Sequence, residues 1–119
     1  MDGRIIILKE RIQKNPEKAW TISEMAQSIG LSESHLQKIF KEVTGETPAR
    51  FVKNLRLEIA KDLLERIEYF SVKEVRMKIG IISGSHFTRD FKEKFDLSPT
   101  EYRKKFWEIY AVNIRNGNK

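Results

Sequence analysis

The chain has 119 residues, which suits one small domain or two very small ones, and 39% of them are hydrophobic. It contains no cysteine and only two histidines, which excludes disulfides and cysteine-based metal sites, so we expect no metal and no cofactor. No apolar run approaches the ~20 residues of a membrane span, and the first ten residues lack a secretory signal pattern. We therefore expect a cytoplasmic protein with no membrane partner. Its net charge of +6 favours a polyanionic partner, chiefly nucleic acid.

Apolar residues at helical spacing and dense capping signals predict an all-α fold of about seven helices. In chain order, the predicted helices run from Ile5 to Asn15-Pro16, Thr21 to Gly30, Ser32 to Gly45, Thr47-Pro48 to about Ile67, Ser71 to Gly80, Ser83 to Phe95, and onward from Ser98. "TISE" (Thr21–Glu24) and "SVKE" (Ser71–Glu74) have the capping-box pattern, in which the first hydroxyl and the last carboxylate each accept a hydrogen bond from a backbone N–H.

The pattern of caps and turns repeats along the chain. Residues Thr21–Gly30 match Ser71–Gly80 at an offset of 50, and Ser34–Phe51 match Ser85–Tyr102 at an offset of 51. The one-residue difference falls in the turn between two helices, where an insertion costs least. The chain therefore carries two copies of a unit that consists of a helix, a short glycine-containing turn, a second helix and a following capped helix.

Two helices joined by a short turn that contains glycine form the helix-turn-helix arrangement, whose second helix presents its N-terminal residues to base edges in the major groove. In both copies the second helix has an apolar stripe and an opposite polar stripe. The predicted buried residues are Leu36, Ile39, Phe40 and Val43 in the first copy, and Phe87, Phe91 and Phe95 in the second. The opposite faces carry Ser34, Gln37, Lys38 and Lys41, and Ser85, Thr88, Arg89 and Lys92. Glutamine suits adenine, and lysine or arginine suits guanine, so these faces predict DNA readers, although a solvated helix face carries the same residue types.

We divide the chain into a first helix-turn-helix subdomain at residues 1–46, a connecting helix at 47–68, and a second subdomain with a C-terminal helix and tail at 69–119. The reader helices are placed at about 33–44 and 84–95. A connecting helix of about twenty residues spans roughly 30 Å, close to the approximately 34–36 Å between major grooves on one face of DNA. One chain is thus expected to insert two reader helices into successive major grooves. We expect residues 113–119 to be disordered.

Three stretches of the sequence are similar to a known family. The phrase "SHL…IFK…TG…P", the connecting segment "RLEIAKDLL" and the closing segment "SHFTRDFKEKFDLSPTEYR" resemble the DNA-binding domain of AraC/XylS-type bacterial transcription regulators, over roughly Ile5 to Lys105. The resemblance implies seven helices in two helix-turn-helix subdomains bridged by the long helix. It also implies a protein that is not an enzyme but binds promoters sequence-specifically, commonly activating transcription through RNA polymerase. In this family the domain usually adjoins a sensor or receiver domain, which would lie outside this chain.

The resemblance also assigns roles to individual positions. The base-reading residues it implies are Ser34, Gln37 and Lys38 in the first copy, and Gly84, Ser85, His86, Thr88 and Arg89 in the second. The phosphate contacts it implies are Lys41, Lys92 and the helix starts at Thr21 and Ser71.

Three residues of the second copy depart from the family pattern. Arg76 stands where the first copy has Ala26, Ile81 replaces the usual aromatic residue, and Gly84 offers no side chain at the start of the reader helix. These departures leave two alternatives open: a helical protein-interaction module, or a nonspecific nucleic-acid binder whose second helix-turn-helix no longer reads sequence. The sequence does not identify the target promoter, the effector or the sign of regulation.

Overall fold

The computed structural model describes residues 3–66, 69–115 and 117, and within them the chain is helical with no β-strand. The helices are α1 (Gly3–Lys14), α2 (Ile22–Ser28), α3 (Glu33–Thr44), α4 (Pro48–Leu64), α5 (Val72–Lys78), α6 (Gly84–Phe95) and α7 (Pro99–Arg115). The prediction of an all-α fold with about seven helices is confirmed.

Most helices begin at the side-chain caps that the sequence predicts. Ser32 and Ser83 accept a hydrogen bond from the backbone N–H three residues on, and Ser71 forms a complete capping box with Glu74. The box predicted at Thr21 is wrong in one half. Thr21 accepts from the Glu24 N–H, but the Glu24 carboxylate lies 3.4 Å from the Lys18 ammonium group, because an oppositely charged side chain is within its reach.

The reader helices of the two copies end in the same left-handed backbone conformation. Gly45 ends α3 at φ 84°, and Asp96, its counterpart at offset 51, ends α6 at φ 69°. Glycine adopts this conformation without steric cost, and aspartate is one of the few other residues that tolerate it. The conformation of this turn is therefore shared by the two copies although the residue differs.

The first compact unit comprises Met1–Arg56. Its core is formed by buried residues of α1, α2, α3 and α4, with the partly buried Phe51 at the edge: Ile5, Leu8, Ile12, Met25, Ala26, Ile29, Leu36, Phe40 and Val52. The prediction that Val43 is buried is wrong, since it is 41% exposed. The Phe40 ring meets the Phe51 ring edge-on at 5.4 Å, so the core is closed at Phe40 and the last turn of α3 stays at the surface.

The second compact unit comprises Leu57–Lys119. Its core residues are Leu57, Ala60, Leu64, Val75, Ile79, Phe87 and Phe91. The ring of Tyr102 meets that of Phe91 edge-on at 5.8 Å, and the Tyr102 hydroxyl donates a hydrogen bond to the Glu65 carboxylate. Burial, together with this bond, raises the pKa of Tyr102, so the phenol stays protonated and holds α7 to the end of α4.

Two predicted ends need comment. α4 ends at Leu64, and the predicted end at about Ile67 lies outside the described residues. The expected disorder of residues 113–119 is wrong for residues 113–115, because α7 continues to Arg115. Asn116, Asn118 and Lys119 lie outside the described residues.

Candidate nucleic-acid interface

The orientation of α3 is set by two fully buried side chains. Leu36 and Phe40 are each 0% exposed, which turns one face of α3 into the core of the first unit. The four predicted reader and phosphate residues of this helix are all exposed: Ser34, Gln37, Lys38 and Lys41. A polar face held outward by a fixed core is the arrangement that groove insertion requires.

α2 and α3 are joined by a tight turn. Ala26 is 3% exposed, and its carbonyl accepts a hydrogen bond of 3.0 Å from the Leu31 N–H. The small side chain at this position lets the two helices pack closely, and Ser32 caps α3 directly after Leu31. The turn between Gly30 and α3 is therefore as short as the caps allow.

The face of α6 repeats this arrangement in the second unit. Phe87 and Phe91 are buried at 1% and 0% exposure, and the ring centroids of this pair lie 5.9 Å apart. The predicted site residues of α6 are all exposed: Gly84, Ser85, His86, Thr88, Arg89 and Lys92. Phe95, also predicted to be buried, is half-buried at the edge of this core.

Two of these side chains already have partners within the second unit. The Arg89 Nε lies 3.2 Å from the Asp90 carboxylate, and the Ser85 and Ser83 hydroxyls lie 3.2 Å apart. Exposed ion pairs contribute little free energy, so Arg89 is able to exchange Asp90 for a base or a phosphate at small cost. The neighbouring carboxylate nevertheless lowers the local positive charge at the middle of α6.

The two helix starts predicted to contact phosphate differ in their present bonding. The Thr21 hydroxyl accepts from the Glu24 N–H at 3.1 Å. At Ser71 both the hydroxyl and the N–H are used by Glu74, and hydrogen bonds from Ser71 hold the Glu74 pKa below its usual value. A negatively charged carboxylate in this position competes with a phosphate, so the start of α5 is the less favourable of the two.

The structure adds cationic residues that the sequence analysis did not assign to the interface. Arg50 and Lys53 in the first turns of α4 line a cleft of about 460 Å³ together with Lys41 and the Gly45–Thr47 turn. Thr47 caps this helix by accepting from the Arg50 N–H at 3.3 Å. The signal available in the sequence was the i, i+3 spacing of two basic residues just after a predicted cap, on the same side as Lys41.

No arrangement for catalysis by a metal occurs within the described ranges. Among those residues, no group of three or more histidine, cysteine, aspartate or glutamate side chains is placed to hold a metal ion. A search of the same residues finds no helix that is long and apolar enough to cross a membrane.

Comparison with known proteins gives the family. Residues 25–105 match a family model described as a helix-turn-helix domain. The chain is 34% identical to the HTH-type transcriptional regulator MtrA of Neisseria gonorrhoeae over 87% of this chain and 34% of that protein. It is 35% identical to the probable transcription factor PqrA of Proteus vulgaris over 82% of this chain and 77% of that protein.

Solved structures share the fold. A probable AraC family transcriptional regulator from Rhodopseudomonas palustris superimposes with a TM-score of 0.79 at 25% identity, over 88% of this chain and 98% of that chain. The DNA-binding domain of AdpA, solved in complex with a target DNA, has a TM-score of 0.80 at 20% identity, over 97% of both chains. The latter likeness concerns the fold alone.

The chain spans about a third of the length of MtrA and about three quarters of the length of PqrA. Its relatives are named as transcription regulators and not as enzymes. The family model covers more than half of the chain and includes both helix-turn-helix copies. The chain therefore belongs to the AraC-type family of helix-turn-helix transcription regulators and corresponds to the family's DNA-binding domain.

Proposed function

We propose that the protein binds double-stranded DNA at specific promoter sites by inserting α3 and α6 into successive major grooves. The single observation that carries this proposal is the repeated orientation of the two helices. Each buries an apolar stripe in its own unit and presents polar and basic residues on the opposite face. A net charge of +6 supports the attraction of both faces to phosphate.

The first unit has the side chains for direct readout. Gln37 has the donor and acceptor geometry for a bidentate contact to adenine, and Lys38 is suited to the acceptor atoms of guanine. Ser34 lies one turn before Lys38 on the same exposed face and is proposed to contact a base edge or a nearby phosphate. All three side chains are exposed on α3, so they reach a groove without rearrangement of the core.

The second unit has a different set of readers. Ser85, His86, Thr88 and Arg89 are proposed to contact bases, and Gly84 is proposed to let the DNA approach the helix start closely. Arg89 is the strongest candidate for a guanine, and it would leave Asp90 on binding. The second unit is therefore expected to gain less free energy per contact than the first.

Phosphate contacts are proposed for residues at the edges of both reader helices. Lys41 and Lys92 occupy equivalent exposed positions at offset 51 on α3 and α6. Arg50 and Lys53 extend the positive charge beside Lys41 in the first unit. Thr21 and Ser71 are proposed to contact phosphate through their hydroxyl groups, and at Ser71 this contact competes with Glu74.

The remaining proposals concern the whole regulator. Relatives such as MtrA are much longer than this chain, which supports an N-terminal sensor or receiver domain outside it. We place the protein in the cytoplasm and propose that it activates transcription by contacting RNA polymerase. We keep the functional division into a first reader subdomain at residues 1–46, a connecting helix at 47–68 and a second reader subdomain at 69–119.

The proposal is tested by selecting bound sequences from random duplex DNA and titrating the enriched pool at two salt concentrations. Two short sequence blocks about one helical turn apart are expected. A single block would restrict readout to one unit and leave the other as a backbone contact. Salt-sensitive binding without enrichment would indicate a nonspecific binder, and no binding would indicate an interaction module; either result overturns the proposed function.

A further inference from the structure

The second helix-turn-helix contains one residue that has no counterpart in the first. In the first unit the Leu31 N–H donates to the Ala26 carbonyl, and Ser32 follows at once as the cap of α3. In the second unit the Ile81 N–H makes the equivalent bond to the Arg76 carbonyl, at 3.1 Å. The cap of α6, however, is Ser83. The residue inserted between the turn and the cap is therefore Ile82.

Ile82 points away from the core of its unit. Ile81 is half-buried and packs against that core, whereas Ile82 is 93% exposed. Ser83, which follows, has extended backbone angles of φ −88° and ψ 118°. Successive side chains of an extended segment alternate in direction, so burying Ile81 directs Ile82 outward. The insertion thus places a bare isoleucine side chain immediately before the proposed DNA-reading helix.

Arg76 holds this longer turn in place. Its guanidinium donates to the carbonyl of Ile81 at 3.0 Å and also to the carbonyl of Ile82. The first unit needs no such group, because its turn is one residue shorter and Ala26 occupies the equivalent position. A planar guanidinium is suited to binding two carbonyl oxygens at once. The change from alanine to arginine and the extra residue are therefore one structural adaptation.

The same region lacks a polar side chain at the start of α6. Gly84 is exposed, and a Cβ built there would lie 3.7 Å from the Arg76 Nε, which is ordinary van der Waals contact. Arg76 therefore does not require glycine at this position. The residue at the helix start makes no side-chain contact of its own, and the neighbouring apolar side chain available for readout is Ile82.

We propose that Ile82 is a specificity-determining residue that contacts the C5 methyl group of a thymine in the second half-site, with Arg76 as its positioning residue. The proposal rests on the proposed DNA binding by α6. The N-terminal residues of a reader helix approach base edges in the major groove, where thymine alone presents a methyl group. An apolar side chain next to the helix start favours that partner over the polar edges of the other bases.

The test replaces each thymine of the selected second half-site in turn by deoxyuridine, which removes only the methyl group. The wild-type protein is expected to lose affinity roughly fourfold at one thymine, the value of about 0.8 kcal/mol for one buried carbon group. Ile82→Ala is expected to bind thymine and deoxyuridine equally at that position. Ile109→Ala is the matched control, because Ile109 is also an exposed isoleucine of the second unit but lies on α7.

Arg76→Ala tests the positioning role and restores the residue found in the first copy. This variant is expected to lose the same thymine preference, and adding Ile82→Ala to it should change the ratio no further. Unfolding temperatures measured in parallel identify any general loss of the fold. Retention of the preference in Arg76→Ala would remove the positioning role, and a folded Ile82→Ala variant with an unchanged ratio would overturn the proposal.

The outcomes separate this inference from the proposed function. If the selection yields no enriched sequence, DNA reading itself fails and the inference fails with it. If the second block is enriched but no thymine in it responds to methyl removal, the inference alone fails. A selection that yields only the first block also overturns the inference while leaving sequence-specific binding by α3 intact.

Discussion

Replacing Lys38 by alanine is expected to weaken binding to the selected site by about 1–3 kcal/mol, roughly 5- to 150-fold in Kd. Lys38 is exposed on α3, and within the part of the chain that the structure describes its ammonium group makes no ion pair. Its removal therefore breaks no internal contact there, and the free energy of unfolding should change by less than about 0.5 kcal/mol. The loss belongs almost entirely to the complex.

The assay is a titration of wild-type and variant protein against four versions of the site that differ at the base pair proposed to meet Lys38. The wild-type protein should prefer one version, and Lys38→Ala should bind all four more nearly equally. Lys14→Ala provides the control, because Lys14 is an exposed lysine of the same unit on α1 and its removal changes the net charge identically. Salt dependence is measured for each protein.

A contact to phosphate alone gives a different result. In that case Lys38→Ala would weaken all four versions equally and reduce the salt slope by about 0.9, the value for one phosphate contact. The assignment of Lys38 as a base reader is refuted by that result, and also by a loss no larger than that of Lys14→Ala. Gln37→Ala, which changes no charge, should reduce the base preference without altering the salt slope.

Three further changes test the packing and capping of the units. Leu36→Ala removes a fully buried side chain beneath the reader face and should lower the unfolding free energy by about 2–5 kcal/mol in denaturant titrations; a smaller change would contradict the observed burial. Gly84→Ala should raise it by a few tenths to ~1 kcal/mol, since the new methyl group meets Arg76 at an ordinary distance and alanine favours the helix. Hydrogen bonds from Ser98 lower the pKa of Glu101, so the stability that this carboxylate contributes is present above its ordinary pKa of about 4.5 and is lost as the pH falls through the lowered value. Unfolding of Glu101→Gln across this pH range should therefore show a weaker acid dependence than wild type, and identical curves would exclude the capping role.

Local features of the sequence predicted the helices well. The caps at Ser32, Ser71 and Ser83 form as expected, because capping involves groups only three residues apart. The exposure of the reader faces was also predictable, since the 3.6-residue period determines which side chains share a face with Leu36 or Phe87. Their roles toward individual bases remain predictions, because they depend on contacts with DNA.

The sequence by itself determined the helical class, the two-copy organisation and the outward face of each reader helix. Only the tertiary structure decided which side chains stop being buried at the ends of those stripes and where the extra residue of the second turn lies. Val43 is exposed because Phe51, on the next helix, closes the core one turn earlier. Arg76, which departs from the first copy, donates to the carbonyls of the turn that presents Ile82. Such outcomes depend on contacts between elements, and these follow from three-dimensional packing and not from the spacing of residues along one helix.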